Sequence, residues 1–298
     1  MTSRPLLLLG ANGQVGHELR RALGPLGPLV GRDRQSLDLC GASALRDAVL
    51  ALEPWVIVNA AAHTAVDQAE AEPELALAVN ATAPGALAAA AREVGAALVH
   101  YSTDYVFDGR GTRPYREDDP TAPLGVYGRS KLAGEHALLD TLDAALVLRT
   151  CWVYAPRGRN FLLTMQRLAA SRDELRVVAD QWGAPTPARF IAACTAAILA
   201  QARGAPAWLA AHRGVYHLAA GGSTHWCDFA RAILAASPTT ARVRVTPIAT
   251  ADYPTAATRP AYSVLDTGRL ARAFALHMPS WQELLAVTLA EQAWSAAA

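Results

Sequence analysis

Leu6-Leu-Leu-Leu-Gly10-Ala-Asn-Gly13-Gln-Val-Gly16-His-Glu-Leu-Arg-Arg-Ala-Leu23 decides the fold. Four leucines closed by a glycine read as a short buried strand, and residues 15–23 carry apolar positions at helical spacing. Three glycines, at 10, 13 and 16, stand at the junction. Glycine permits a tight turn and close approach of another group to the backbone, and a helix N-terminus offers unpaired N–H groups to a pyrophosphate. Gly10, Asn12, Gly13, Gln14, Val15 and Gly16 are therefore candidate dinucleotide contacts. The spacing is GxxGxxG rather than GxGxxG, and alone it would also describe a plain tight turn. Its place between a strand and an amphipathic helix favours the nucleotide reading.

Outward from this stretch the same alternation repeats. Leu29–Val30, Trp55–Val58, Ala97–Tyr101 and Leu146–Leu148 read as further buried strands, with helical patterns over 15–23, 42–52, 75–94 and 128–140. Strand and helix in alternation predict parallel strands with crossover helices, hence an α/β fold with a Rossmann-type doubly wound sheet. After Thr150 the alternation fails and proline and glycine thicken. The expected division is a dinucleotide-binding domain over 1–150, joined by parts of 185–205, and a smaller, discontinuous substrate-binding domain over most of 151–298.

Composition narrows the function. The 298 residues are 52% hydrophobic and 18% charged, with a net charge of +1. No basic face or acidic tail is visible, so nucleic acid and membrane surfaces are poor partners. Cys40, Cys151, Cys194 and Cys227 form no CxxC pair, which argues against a zinc site and fits a reducing compartment. The N-terminus lacks the apolar length and cleavage site of a signal peptide. The apolar run 191–200 is shorter than the roughly 20 residues that span a bilayer. A cytoplasmic, soluble protein is expected.

Gly31-Arg32-Asp33-Arg34 follows the second strand, where a dinucleotide-binding fold meets the adenosine ribose. An acid alone binds the ribose hydroxyls, whereas arginines accept a 2′-phosphate. Arg32 and Arg34 beside Asp33 favour NADPH, with NADH possible; each arginine alone would also suit a solvated loop.

Tyr127-Gly-Arg-Ser-Lys131 is the sharpest motif. Its ends lie four residues apart, on one helix face. A tyrosine has a pKa near 10, and a neighbouring ammonium is expected to bring it down and make the phenol a usable general acid. Thr103, after the buried strand 97–101, would face the crevice at the strand ends and bond the same carbonyl oxygen.

Together these stretches resemble the dTDP-4-dehydrorhamnose reductase family, extended short-chain dehydrogenase/reductases, over almost the full chain. The resemblance rests on the glycine turn, on Val58-Asn-Ala-Ala-Ala-His-Thr-Ala-Val-Asp67 and on His100-Tyr-Ser-Thr-Asp-Tyr-Val-Phe107. It continues in Tyr127-Gly-Arg-Ser-Lys-Leu-Ala-Gly-Glu135, Arg149-Thr-Cys-Trp-Val-Tyr154, Asp180-Gln-Trp-Gly-Ala-Pro-Thr186 and Arg259-Pro260. It implies reduction by NADPH or NADH of the C4 keto group of dTDP-6-deoxy-L-lyxo-4-hexulose to dTDP-L-rhamnose. By it Thr103 and Tyr127 bind the C4 oxygen, Tyr127 supplies the proton and Lys131 holds the nicotinamide ribose. It also implies cofactor contacts at Gly13, Gln14, Val15, Asp33, Asp38, Leu39, Ala62, His63, Thr64, Tyr101, Tyr127 and Lys131, and substrate contacts at Asp104 and Trp152. Arg259 is a candidate for the diphosphate. Taken singly, Trp152 would suit a core, His63 a loop, Asp104 a turn cap and Arg259 the surface.

Two rivals remain at this level: a reductase of another dTDP-4-keto-6-deoxy sugar, and a non-catalytic nucleotide-binding subunit. A 4,6-dehydratase of the superfamily carries a glutamate where Tyr105 stands, so elimination lacks its base. Dimeric family members gather three glutamates about magnesium. Here Glu18 and Glu291 fill two places and Arg189 the third, so no metal site and a monomer are expected.

Overall fold

The computed structural model describes residues 4–237 and 239–297. Six strands form one sheet: β1 (Leu6–Leu9), β2 (Leu29–Arg32), β3 (Val56–Asn59), β4 (Ala97–Thr103), β5 (Ala145–Thr150) and β6 (Gly214–His217). All pairings are parallel, in the order β6-β5-β4-β3-β1-β2. The chain leaves β1 to one side for β2 and to the other for β3. The strand order therefore reverses between β1 and β3, the point at which open α/β sheets bind ligands outside their C-terminal edges.

The leucine run is apolar throughout because both faces of the sheet are covered. Leu6 and Leu8 join Val56, Val58, Val99, Leu146 and Leu148 in one core. Helices α1 (Gln14–Leu23) and α7 (Ala188–Ala202) close that face with Leu19, Leu23, Ile191 and Ile198. Leu7 and Leu9 join Ile57, Leu98 and Val147 in the other core. There Leu45 and Val49 of α2 (Ala42–Leu52), Leu87 and Ala91 of α4 (Pro73–Glu93) and Leu138 of α5 (Val126–Leu139) are the covering side chains. Between α2 and α4 lies the short α3 (Val66–Ala71).

Helix α4 is long and apolar enough to pass a membrane-span test by length and composition. Its Ala83, Leu87, Ala88, Ala90 and Ala91 are instead spent on the sheet. A third core joins α6 (Phe161–Ala169), α8 (Trp226–Ala235) and α9 (Trp281–Ala297) through Leu162, Met165, Phe229, Ile233, Trp281 and Leu285. The sixth strand was absent from the sequence reading: Gly-Val-Tyr-His is four residues long and finds its partner, β5, some seventy positions earlier.

Candidate active site

The glycine turn has the conformation that its residues suggest. Gly10 sits at φ 74°, and a β-carbon there would press on the backbone of Ala60 and Ala61 at the head of β3. A β-carbon on Gly16 would overlap the Gly10 carbonyl oxygen. No side chain caps α1 at Gly13, so its first N–H groups face outward for an anion. The turn is latched to the second half of the chain by Asn160, whose Nδ2 donates to Gln14 Oε1 at 2.8 Å.

Every residue singled out for cofactor or substrate lines one cavity of about 1020 Å³, with two exceptions. Gly16 lies under the turn, where its missing β-carbon makes room for Gly10. Arg259 is drawn to Asp67: its guanidinium bonds both carboxylate oxygens, at 2.7 and 3.1 Å, and Asp67 also accepts the Ala257 N–H. The arginine fastens the 257–259 loop to α3, and its bonds hold the Asp67 carboxyl below its ordinary range.

At the nucleotide end, Arg32 and Arg34 are exposed at the lip. Asp33 is already engaged. Its Oδ1 accepts from the Ser36 N–H and hydroxyl at 3.0 and 2.8 Å, and its Oδ2 accepts from Asn12 Nδ2. The Ser36 bonds hold its carboxyl below the usual value.

The reaction end is buried. The Thr103 hydroxyl closes β4, donating to Asp104 Oδ1 at 3.1 Å and accepting the Tyr105 N–H at 3.2 Å. Tyr127 and Lys131 stand one turn apart on α5. Burial pushes the Tyr127 phenol up to about 12, with the Thr103 hydroxyl drawing it back. Burial likewise lowers Lys131 to about 7, against the pull of Glu135, and raises Asp104 to about 6. The expectation that the lysine lowers the phenol's pKa is corrected for the cofactor-free chain. In a dry site charge on the amine is itself disfavoured, and Lys131 Nζ turns to His100 Nε2 at 2.9 Å.

Three contributors were missed from the sequence. Asn80, fully buried in the π-helical turn Ala78–Thr82, accepts the His63 N–H at 2.8 Å and donates to His63 O and Ser130 Oγ, both at 3.0 Å. It ties the loop of His63 to α5. A lone asparagine inside an alanine-rich run was its signal. Trp226 stacks on Trp152, ring centroids 3.6 Å apart and 7° from parallel. Both rings line the cavity, and Trp152 takes a left-handed backbone at φ 46° to reach it. A side chain on Gly183 would run into the Trp152 ring, which explains glycine there. Arg159 adds a cation to the wall.

A glycine cradle, a strand-end hydroxyl and a Tyr–Lys pair in one cavity can hold a dinucleotide against a carbonyl and protonate the developing alkoxide. The profile of the RmlD substrate binding domain matches residues 4–293. The dTDP-4-dehydrorhamnose reductase of Burkholderia thailandensis is 50% identical over 283 residues, covering 93% of this chain and 95% of that one. Its counterpart in Salmonella typhimurium is 48% identical over 285 residues, with 93% and 94% covered. Among solved structures, dTDP-4-dehydrorhamnose reductase from Bacillus anthracis in complex with NADP superposes with a TM-score of 0.88 at 36% identity, covering 98% of this chain and 100% of that one. The Clostridium acetobutylicum enzyme gives 0.88 at 37% identity, with 96% and 98% covered. The chain belongs to the RmlD substrate binding domain family, that of the dTDP-4-dehydrorhamnose reductases.

Proposed function

We propose that this chain reduces the C4 keto group of dTDP-6-deoxy-L-lyxo-4-hexulose to dTDP-L-rhamnose, using NADPH and tolerating NADH. The observation that carries the reading is the convergence of Thr103, Tyr127 and Lys131 with the glycine turn in one cavity, in a chain half identical to relatives of that name.

The cradle fits a dinucleotide: Gly10, Gly13 and the bare start of α1 receive the pyrophosphate, and a β-carbon on Gly10 or Gly16 would collide with the backbone that shapes the turn. Arg32 and Arg34 take the 2′-phosphate, while Asp33, already bonded to Ser36 and Asn12, is left with a secondary role towards NADH. When bound, NADPH supplies hydride to C4. Thr103 and Tyr127 hold the C4 oxygen, Tyr127 gives it a proton, and Lys131 orients the cofactor ribose. Asp104 and Trp152 contact the sugar. Arg259 acts through Asp67 by fixing a wall loop. Residues 1–150 with the returning helix α7 serve as the dinucleotide-binding part, and most of 151–298 as the substrate-binding part.

The protein acts in the cytoplasm as a monomer, on a nucleotide sugar and with neither nucleic acid nor membrane as partner. Arg189 meets Glu291 at 2.6 Å, so the place where a magnesium-bridging carboxylate would stand holds a cation that already pairs with one. The test is product identification: purified protein, NADPH and the 4-keto-L-sugar should give dTDP-L-rhamnose by NMR as the NADPH absorbance falls. A 6-deoxytalose product, or binding without turnover, would overturn the reading.

A further inference from the structure

We propose that Asn59 and His100 are positioning residues for Lys131. Together they fix the ring proton of His100 on Nε2, so that in the cofactor-free protein the lysine meets the ring as a neutral amine. The consequence for catalysis rests on the reductase reading; the hydrogen-bond chain does not.

The amide of Asn59 lies at the end of β3, 1% exposed. Its Oδ1 accepts the backbone N–H of Ala61 at 3.1 Å. The amide orientation is therefore set by a donor that cannot change, and Nδ2 faces His100 Nδ1 at 3.1 Å. Two donors do not face one another, so Nδ1 presents its lone pair and the ring carries its proton on Nε2. That proton points at Lys131 Nζ, 2.9 Å away. An amine accepts it; an ammonium has no lone pair to offer. Charging Lys131 requires the ring proton to move to Nδ1, and then Asn59 to swing its amide and release the Ala61 N–H. Ala61 lines the cavity beside Gly10, so the lysine's proton is coupled to the loop at the strand reversal.

The surroundings leave this chain in control. Glu135, one turn beyond Lys131, gives both carboxylate oxygens to Arg149 at 2.9 and 2.6 Å. Tyr127 and Asp104 face the lysine's end of the cavity. From α3, Glu70 accepts the Val126 N–H and Asp67 pairs with Arg259. From the π-helical turn of α4 comes the uncharged Asn80, bonded to Ser130. Burial disfavours charge on both His100 and Lys131, in the direction the tautomer demands.

Composition points the same way. Of 27 basic residues, Lys131 is the one lysine. A guanidinium keeps its proton in proteins, whereas a buried amine gives it up. In turnover the Tyr127 O–H bond breaks as the C4 alkoxide gains the proton. One proton from solvent then restores the Tyr127 O–H.

A single lysine gives a single signal. Protein labelled with ¹⁵N in histidine rings and ¹³C in lysine is titrated by NMR without cofactor, His100 being assigned by its loss in His100→Gln. The His100 ring is expected as the Nε2–H tautomer at neutral pH, with Lys131 titrating far below a free lysine. Asn59→Asp, whose two oxygens both accept, pulls the ring proton to Nδ1 and raises the Lys131 midpoint on the order of one pH unit. The basic limb of kcat should rise with it. An Nδ1–H ring in the unaltered protein, or a midpoint that stays or falls in Asn59→Asp, overturns the proposal. The tautomer is read without substrate, so it stands or falls apart from the activity, and apart from whether Asn59→Asp folds.

Discussion

The two ends of the cavity treat their carboxylates in opposite ways. Asp33, at the nucleotide end, is bonded by Ser36 and Asn12 and held below its ordinary range. Asp104, at the reaction end, is 2% exposed and raised by burial to about 6. Ser263 and Thr103 draw that carboxyl back only in part, and Ser102 Oγ and Thr150 Oγ1 are buried polar atoms without a hydrogen-bond partner among the described residues. A buried polar atom left unpaired costs free energy until something pairs with it. Asp33 is thus satisfied by its own chain, with the exposed Arg32 and Arg34 at the lip beside it. The reaction end holds unmet groups that a substrate would satisfy.

The sharpest way to break that contrast is Tyr127→Phe. Only the proton donor is lost, so turnover should fall by about 10² to 10⁴-fold, while NADPH affinity in fluorescence titration stays within a factor of two or so of the unaltered protein. Near-normal turnover would remove Tyr127 from the chemistry. A parallel loss of cofactor affinity would show that the ends are not separate.

Arg32→Ala with Arg34→Ala tests the other end. A hydrogen bond to a charged group contributes about 1.5–3 kcal/mol, so NADPH should weaken by roughly tenfold or more per arginine, and NADH far less. Equal weakening of both would mean that these arginines do not read the phosphate. The rate with saturating cofactor should hold, since neither side chain reaches the buried end.

These two ends were not equally legible. The glycine turn is a local pattern, strand then glycine then helix within eighteen residues, and the sequence showed it whole. So it did with Tyr127 and Lys131, whose spacing matters only along one helix. Trp226 and Asn80 escaped because their roles arise from partners far along the chain, Trp152 and Ser130. Arg259, a diphosphate candidate by its charge, pairs with Asp67, 192 positions earlier, a bond that spacing does not report. The pKa of the phenol failed for a related reason: spacing brought the lysine near, but burial, which spacing does not report, dominates both groups.

Asp104→Asn sharpens the comparison through pH. A carboxyl raised from 3.8 to about 6 by burial stabilises the fold fully below the lower value, and that contribution is lost as pH rises to the higher one. The asparagine variant has no such loss. Relative to the unaltered protein it should gain about 2–3 kcal/mol between pH 4 and pH 7, seen as a melting difference that grows with pH. The same substitution at Asp33 should show no gain, because that carboxyl is lowered. A flat difference at Asp104 would mean that the site admits enough water to hold the charge.

The smallest effect belongs to Trp226→Leu. The Trp152–Trp226 stack, with Phe161 tilted against it at 4.6 Å, lines the cavity. An aromatic pair is worth about 0.5–1.5 kcal/mol beyond its buried area, and leucine keeps much of that area. Without the flat partner, Trp152 loses the surface that holds it in its left-handed backbone. KM for the sugar should rise by roughly two- to tenfold, with kcat and NADPH affinity little changed, because Trp226 touches neither Thr103 nor the glycine turn through any hydrogen bond. If NADPH affinity falls as far as sugar affinity, the stack supports the whole cavity rather than one end. If neither moves, Trp152 holds its place through Gly183 and the backbone alone, and the wall it forms is stiffer than the stacking suggests.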